Sequence, residues 1–126
     1  MMTNARAAYM DASIATASPA RLLVMLYERL VLDVQRGLEA QQRQDYQETH
    51  RQLTHAQDII MELHSGLKPE LWSGGPALAS LYLWLHGELI AANVAKDAAR
   101  VAGARKLIEP LRDAWHEAAR QLGTGQ

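Results

Sequence analysis

Helix breakers are sparse in this chain, and the densest group of them sits in one place. Pro69, Gly74, Gly75 and Pro76 fall within the segment SGLKPELWSGGP. Between the breakers, apolar residues recur at spacings of three and four, and no stretch alternates apolar with polar. That pattern excludes strands and leaves helices that must bury a face against other helices. Four are predicted. The first runs from Pro19 to Ala40, opened by Ser18 as N-cap and Pro19 at the first helical position, where the missing N–H costs nothing. The second starts at Asp45, with Glu48 completing a capping box, and ends near Gly66. The third runs from Pro76 to Ala95, and the fourth from an Asp97 cap to Leu122. Each is about 20 residues, hence about 30 Å long. Matched lengths and mostly short connections predict an all-α fold, an antiparallel up-down four-helix bundle. The whole chain, 1–126, reads as one domain, with an N-terminal arm at 1–17 and a flexible tail at 123–126. Pro110 is expected to kink the fourth helix, or to split it in two.

The chain is 48% apolar, enough for a core, and its net charge is −1 with no block of like charge. Nothing in that balance points to nucleic acid or an anionic membrane. There is no cysteine, so disulfides and thiolate chemistry are out and a reducing compartment fits. No stretch has the roughly 20 apolar residues of a membrane span, and no secretory signal is visible. The expectation is a soluble intracellular protein with neither membrane insertion nor a nucleic-acid partner.

Two of the helices are one-faced. The second places Leu53, Ala56, Ile59, Ile60 and Leu63 on one stripe. The fourth does the same with Val101, Ala104, Leu107, Ile108, Leu111, Trp115 and Ala118. The first and third differ. Opposite a core stripe of Leu23, Leu26, Tyr27, Leu30, Val34 and Leu38, the first helix carries Met25 and Leu32 nearly in line. Opposite Leu78, Leu81, Tyr82, Leu85, Leu89 and Ala92, the third carries Leu83, Gly87, Ile90 and Val94. A helix apolar on two sides must be buried on both or must bind something, and a four-helix bundle leaves the backs of its helices bare.

Ahead of the first helix, YMDASIATASP brings Tyr9 and Ile14 into a segment that a functionless tail would keep polar. Burying each such side chain is worth about 1.5–3 kcal/mol, whereas ordering the backbone costs about 1–2 kcal/mol per residue. The two nearly cancel, so the arm is expected to be a displaceable cover over an apolar stripe.

Signals for chemistry are missing. The histidines, at 50, 55, 64, 86 and 116, include no pair spaced by four and no Glu-x-x-His, and the carboxylates are expected on polar faces. Neither a metal site nor a phosphate loop nor a nucleophile motif emerges, so no catalytic residue, metal or cofactor is assigned. Tyr27 and Tyr82 are expected at the core edge with bonded hydroxyls. Asn93 reads as a buried residue bonding the chain at the end of the third helix.

Taken in order, Tyr9, Thr16-Ala17-Ser18-Pro19, Met25-Leu26-Tyr27, Leu81-Tyr82, Ala92-Asn93 and Arg112-Asp113-Ala114-Trp115 resemble the flagellar export chaperone family FliS over nearly the whole chain. The chain departs from the family pattern at Arg6, Leu83 and Gly87-Glu88. The resemblance implies a cytoplasmic, non-enzymatic chaperone. It implies binding of the disordered C-terminal segment of flagellin, blocking of premature polymerisation, and help with delivery to the flagellar type III export gate, a further partner. It also implies an arm that packs over part of the binding surface. The candidate contacts are Tyr9, Ile14, Met25, Leu32, Tyr82, Leu83, Gly87, Ile90, Asn93 and Val94, in a monomer or weak homodimer. The competing readings are a general helical adaptor for an amphipathic helix of another protein, and a small helical enzyme or metal carrier.

Overall fold

The computed structural model describes residues 19–124. Within them lie four α-helices: α1 (Pro19–Gln42), α2 (Tyr46–Gly66), α3 (Gly75–Ala95) and α4 (Ala98–Thr124), with a 3-10 turn at Pro69–Leu71 between α2 and α3. Helix α1 packs on α2 and α4, and α3 packs on α2 and α4, which closes a ring of four antiparallel helices. The seam between α3 and α4 is the thinnest of the four.

The caps at Asp45 and Asp97 lie where the sequence places them, and Ser18 lies outside the described residues. Asp45 accepts from the Glu48 backbone N–H at 3.2 Å, and Asp97 accepts from those of Ala99 and Arg100 at 3.0 and 3.3 Å. The turns after α1 and α3 are each closed by a non-glycine residue in the left-handed region, Gln44 (φ 61°) and Lys96 (φ 51°). At the second, the Asp97 N–H donates to the Ala92 carbonyl at 3.0 Å and the buried Gln41 side chain donates to the Lys96 carbonyl. These bonds occupy carbonyls that the helix end would otherwise leave open. Helix α4 is continuous through Pro110, so the split does not occur.

The core draws on all four helices, with Tyr27, Leu30, Val34, Leu53, Ile60, Leu85, Leu89, Val101 and Ile108 fully or almost fully enclosed. In α1 the buried face also takes in Val24 and Val31, while Leu23, Leu26 and Leu38 are only partly covered. Gly37 faces α2 so closely that a Cβ there would lie 2.9 Å from Leu53 Cδ2.

One expectation fails here. The carboxylates do not all lie on polar faces, because Asp33 is completely buried in α1. Arg29 donates to it at 2.9 Å from one turn earlier, and the His55 imidazole of α2 reaches its other oxygen. A buried carboxylate persists only with such partners.

Across the diagonal of the ring, the hydroxyls of Tyr27 and Tyr82 lie 2.5 Å apart, and both rings are buried. Burial, reinforced at Tyr27 by the shared hydrogen bond, pushes both phenols above their ordinary range. The unfolded chain therefore releases these protons first. The pair's stabilisation is complete below about pH 10 and is lost as pH rises beyond it. Alkaline titration of the melting temperature should fall more steeply above about pH 10 in the natural protein than in the Tyr27→Phe/Tyr82→Phe double variant. Equal slopes would show that the pair does not couple folding to the proton.

Candidate functional site

Helix α3 has one charged side chain among its 21 residues, Glu88, and Arg100 of α4 lies 3.4 Å from it. The inner face of α3 is spent on the core through Leu78, Tyr82, Leu85, Leu89 and Ala92. Among the described residues nothing covers the outer face: Leu83 is 52% exposed, Ile90 40% and Val94 83%. Gly87 is exposed on the same stripe, and a Cβ there would meet nothing within 4 Å. These four residues extend over about three helical turns, roughly 16 Å.

The remaining candidates separate. Met25 is exposed on α1 and Leu32 is half-buried; both lie on a different helix from the stripe. Tyr82 is buried on the inner face against Tyr27. Asn93 is buried as well, with its amide nitrogen 2.9 Å from His50 Nδ1 and its carbonyl oxygen accepting from the Lys96 ammonium at 2.5 Å. These two side chains are committed inside the bundle and do not line the exposed stripe. Tyr9 and Ile14 lie outside the described residues.

Three apolar features escaped the sequence reading. Trp84, 52% exposed, lies next to the stripe on α3. Leu107, expected in the core of α4, is exposed, because the thin α3–α4 seam leaves that flank of α4 uncovered. The third is a cavity of about 320 Å³ at the end of the bundle where α1 begins, lined among others by Leu23, Leu26, Leu67, Leu71, Trp72 and Trp115. Leu71 and Trp72 stay exposed on the connection between α2 and α3. Gly74 makes that conformation attainable, since a Cβ there would lie 2.2 Å from the Trp72 ring. A signal for the cavity was present in the Leu71-Trp72 pair inside a breaker-rich loop, where two large apolar residues have no helix to bury them.

Among the described residues no group of three or more His, Cys, Asp or Glu side chains could hold a metal ion, and no helix is long and apolar enough to cross a membrane. What the arrangement can do is bind apolar surface. An outer stripe on a charge-poor helix and an apolar cavity at the bundle end suit side chains of an amphipathic segment.

Comparison with known proteins agrees in kind. A family model described as flagellar protein FliS matches residues 2–122. The flagellar secretion chaperone FliS of Bacillus subtilis (strain 168) is 28% identical over 115 residues, spanning 91% of this chain and 86% of its own length. The crystal structure of a flagellar chaperone from bacteria superposes with a TM-score of 0.74 at 20% identity, covering 96% of this chain and 99% of that one; at that identity the likeness speaks for the fold.

The two faces of α3 make opposite predictions. Val94→Asp replaces an exposed side chain and should change stability by no more than about 1 kcal/mol. Leu89→Asp, at a fully buried position, leaves an unpaired carboxylate in the core and should abolish the folded state. Circular dichroism melts of the two variants measure this, and a collapsed Val94→Asp protein would place the stripe in the core.

Proposed function

The chain belongs to the FliS family of flagellar proteins, a family of chaperones and not of enzymes, and from that premise we propose that it is a flagellar secretion chaperone whose cargo is flagellin. In this reading it works in the cytoplasm, holds the disordered C-terminal segment of newly made flagellin, keeps the subunit from polymerising early, and helps deliver it to the flagellar type III export apparatus. The observation that carries the reading is the outer face of α3, where Leu83, Ile90 and Val94 remain exposed on a helix with a single charge that is already paired. A soluble protein that keeps such a face has a partner for it. The export setting supplies the logic. A segment of flagellin with apolar residues on one side is an aggregation and polymerisation hazard until it is covered, and a bundle with a spare apolar face covers it without catalysis.

Tyr9, Ile14 and Met25 are further contacts in this reading, and the cavity beside Trp72 and Trp115 is a second place where apolar side chains of the segment can be seated. Binding joins folding of the segment to burial of apolar surface on both sides, which gives a large negative heat-capacity change.

Titration calorimetry at several temperatures, with the full-length protein and the C-terminal peptide of flagellin from the same organism, tests the proposal. The expected result is saturable binding with a strongly negative heat-capacity change. The absence of heat and of chemical-shift changes at high micromolar protein would refute it. Equal binding of an unrelated amphipathic helix would favour a general helical adaptor.

A further inference from the structure

We infer that Arg29, Asp33 and His55 form an orientation lock, in which the buried charge of Asp33 fixes the side that α1 turns towards α2 and adds no stability of its own. Asp33 is the sole acidic residue buried among those described, and no part of its side chain is exposed. Its two oxygens have separate partners. Arg29, one turn earlier on α1, donates from Nε to one at 2.9 Å, and Nδ1 of His55 on α2 meets the other. These partners differ from Asp33 in one respect: their side chains are 48% and 41% exposed. Water can hydrate both, so neither needs the carboxylate, whereas Asp33 needs them. Taking a carboxylate out of water is costly, and an ion pair in such a place is commonly no more stable than apolar side chains filling the same space. Leu30 and Val34 are buried on the same helix, and an aliphatic residue at 33 would extend that face.

What the charge supplies is direction. Helix α1 is apolar on more than one side, with Met25 and Leu32 away from the core stripe. Aliphatic contacts tolerate rearrangement, and a core made of them loses uniqueness before it loses stability. A carboxylate that must keep its donor is less tolerant. Each residue turns a helix by about 100°, so rolling α1 by one position parts Asp33 from His55. Arg29 rides on the same helix and neutralises Asp33 in every orientation. His55 alone comes from α2, so its bond is the one that depends on how the two helices face each other. One turn further along α1, Gly37 adds a steric counterpart on the same side. A Cβ there would lie 2.9 Å from Leu53 Cδ2, so a side chain rolled into that position would collide. Charge and notch are four residues apart, about 6 Å along the axis. The orientation they set is the one that turns the Tyr27 hydroxyl to that of Tyr82 on α3, so the lock on α2 also places α1 against the opposite helix.

Four variants of the full chain test the inference: Asp33→Leu, Asp33→Ala, His55→Leu and the double variant Asp33→Leu/His55→Leu. His55→Leu leaves a buried carboxylate oxygen without its donor and should lower the melting temperature by about 5–10 °C. Removing the acid as well should restore it. The more stable of the two single replacements at 33 should melt no more than about 3 °C below the natural protein. Two sizes are compared so that the poor fit of one side chain does not decide the result. NMR measures the lock itself. In the natural protein the Gly37 Hα and a Leu53 methyl should give an Overhauser contact within a single set of signals, since a Cβ at 37 would lie against that methyl. In the more stable Asp33 variant the methyl signals of Leu53 and Ile60 should double or broaden, a change that a merely stabilising charge would not produce at an unchanged melting temperature. A larger fall in melting temperature in both single Asp33 variants overturns the inference. So does one sharp set of signals in an Asp33 variant of natural stability, or a His55→Leu protein that melts like the natural one.

Discussion

A helix that is apolar on both sides can bury only one of them in a ring of four. Helix α3 is in that position: 21 residues with a single charge, an inner face closed by Leu85 and Leu89, and an outer face left open at Leu83, Ile90 and Val94. The outer face cannot simply exchange with the inner one. The inner face holds Tyr82, whose hydroxyl is tied to Tyr27 of α1, and Asn93, which is tied to His50 of α2 and to Lys96. Rotating α3 would break those bonds inside an apolar core, at the expense of leaving buried polar groups unpaired. Polar contacts at Tyr82, two turns into α3, and at Asn93 near its end thus fix which apolar face is spent on folding and which is left open.

Helices α1 and α2 form the most closely joined seam of the bundle. Helices α1 and α2 approach closely at Gly37 and are joined through the buried Asp33, which Arg29 and His55 cover from either helix. A carboxylate that is wholly buried tolerates little movement of its partners. Between α3 and α4 the seam is thin, and Trp84 and Leu107 stay exposed on those two helices. Apolar surface has therefore collected on the α3–α4 side and at the bundle end where α1 begins, away from the tightly joined α1–α2 seam. If the apolar side is the one that takes the cargo, as proposed, this division separates stability from binding, and the surface can stay apolar without endangering the fold.

The fold was legible because its signals are local. Asp marks helix starts through bonds within one turn and Pro through its fixed φ, and Asp45 and Asp97 cap as their spacing predicts. Periodicity located the apolar core of α2, though not the buried Thr49, and exposed the doubled face of α3. It failed where coverage depends on how closely two helices approach. Leu107 lies on the stripe of α4 that periodicity assigns to the core, yet α3 leaves it open. Asp33 was missed for the converse reason: its burial is made attainable by partners four residues away and on another helix, which no single-helix pattern reveals. Tyr82 and Asn93 were read as contacts through the family resemblance, and the structure turns both inward. The cavity near Trp72 depends on a loop conformation that Gly74 permits, a tertiary fact with only a weak sequence trace.

The central claim, that folding takes one face of α3 and the cargo takes the other, is tested most directly by methyl-resolved NMR of the full-length protein titrated with flagellin's C-terminal peptide. The account predicts that the methyl resonances of Leu83, Ile90 and Val94 shift strongly and to saturation. Those of Leu85, Leu89 and Ile60, enclosed in the core, should move little. Shifts confined to the core methyls, or to the α1–α2 side with Leu83, Ile90 and Val94 unmoved, would contradict it.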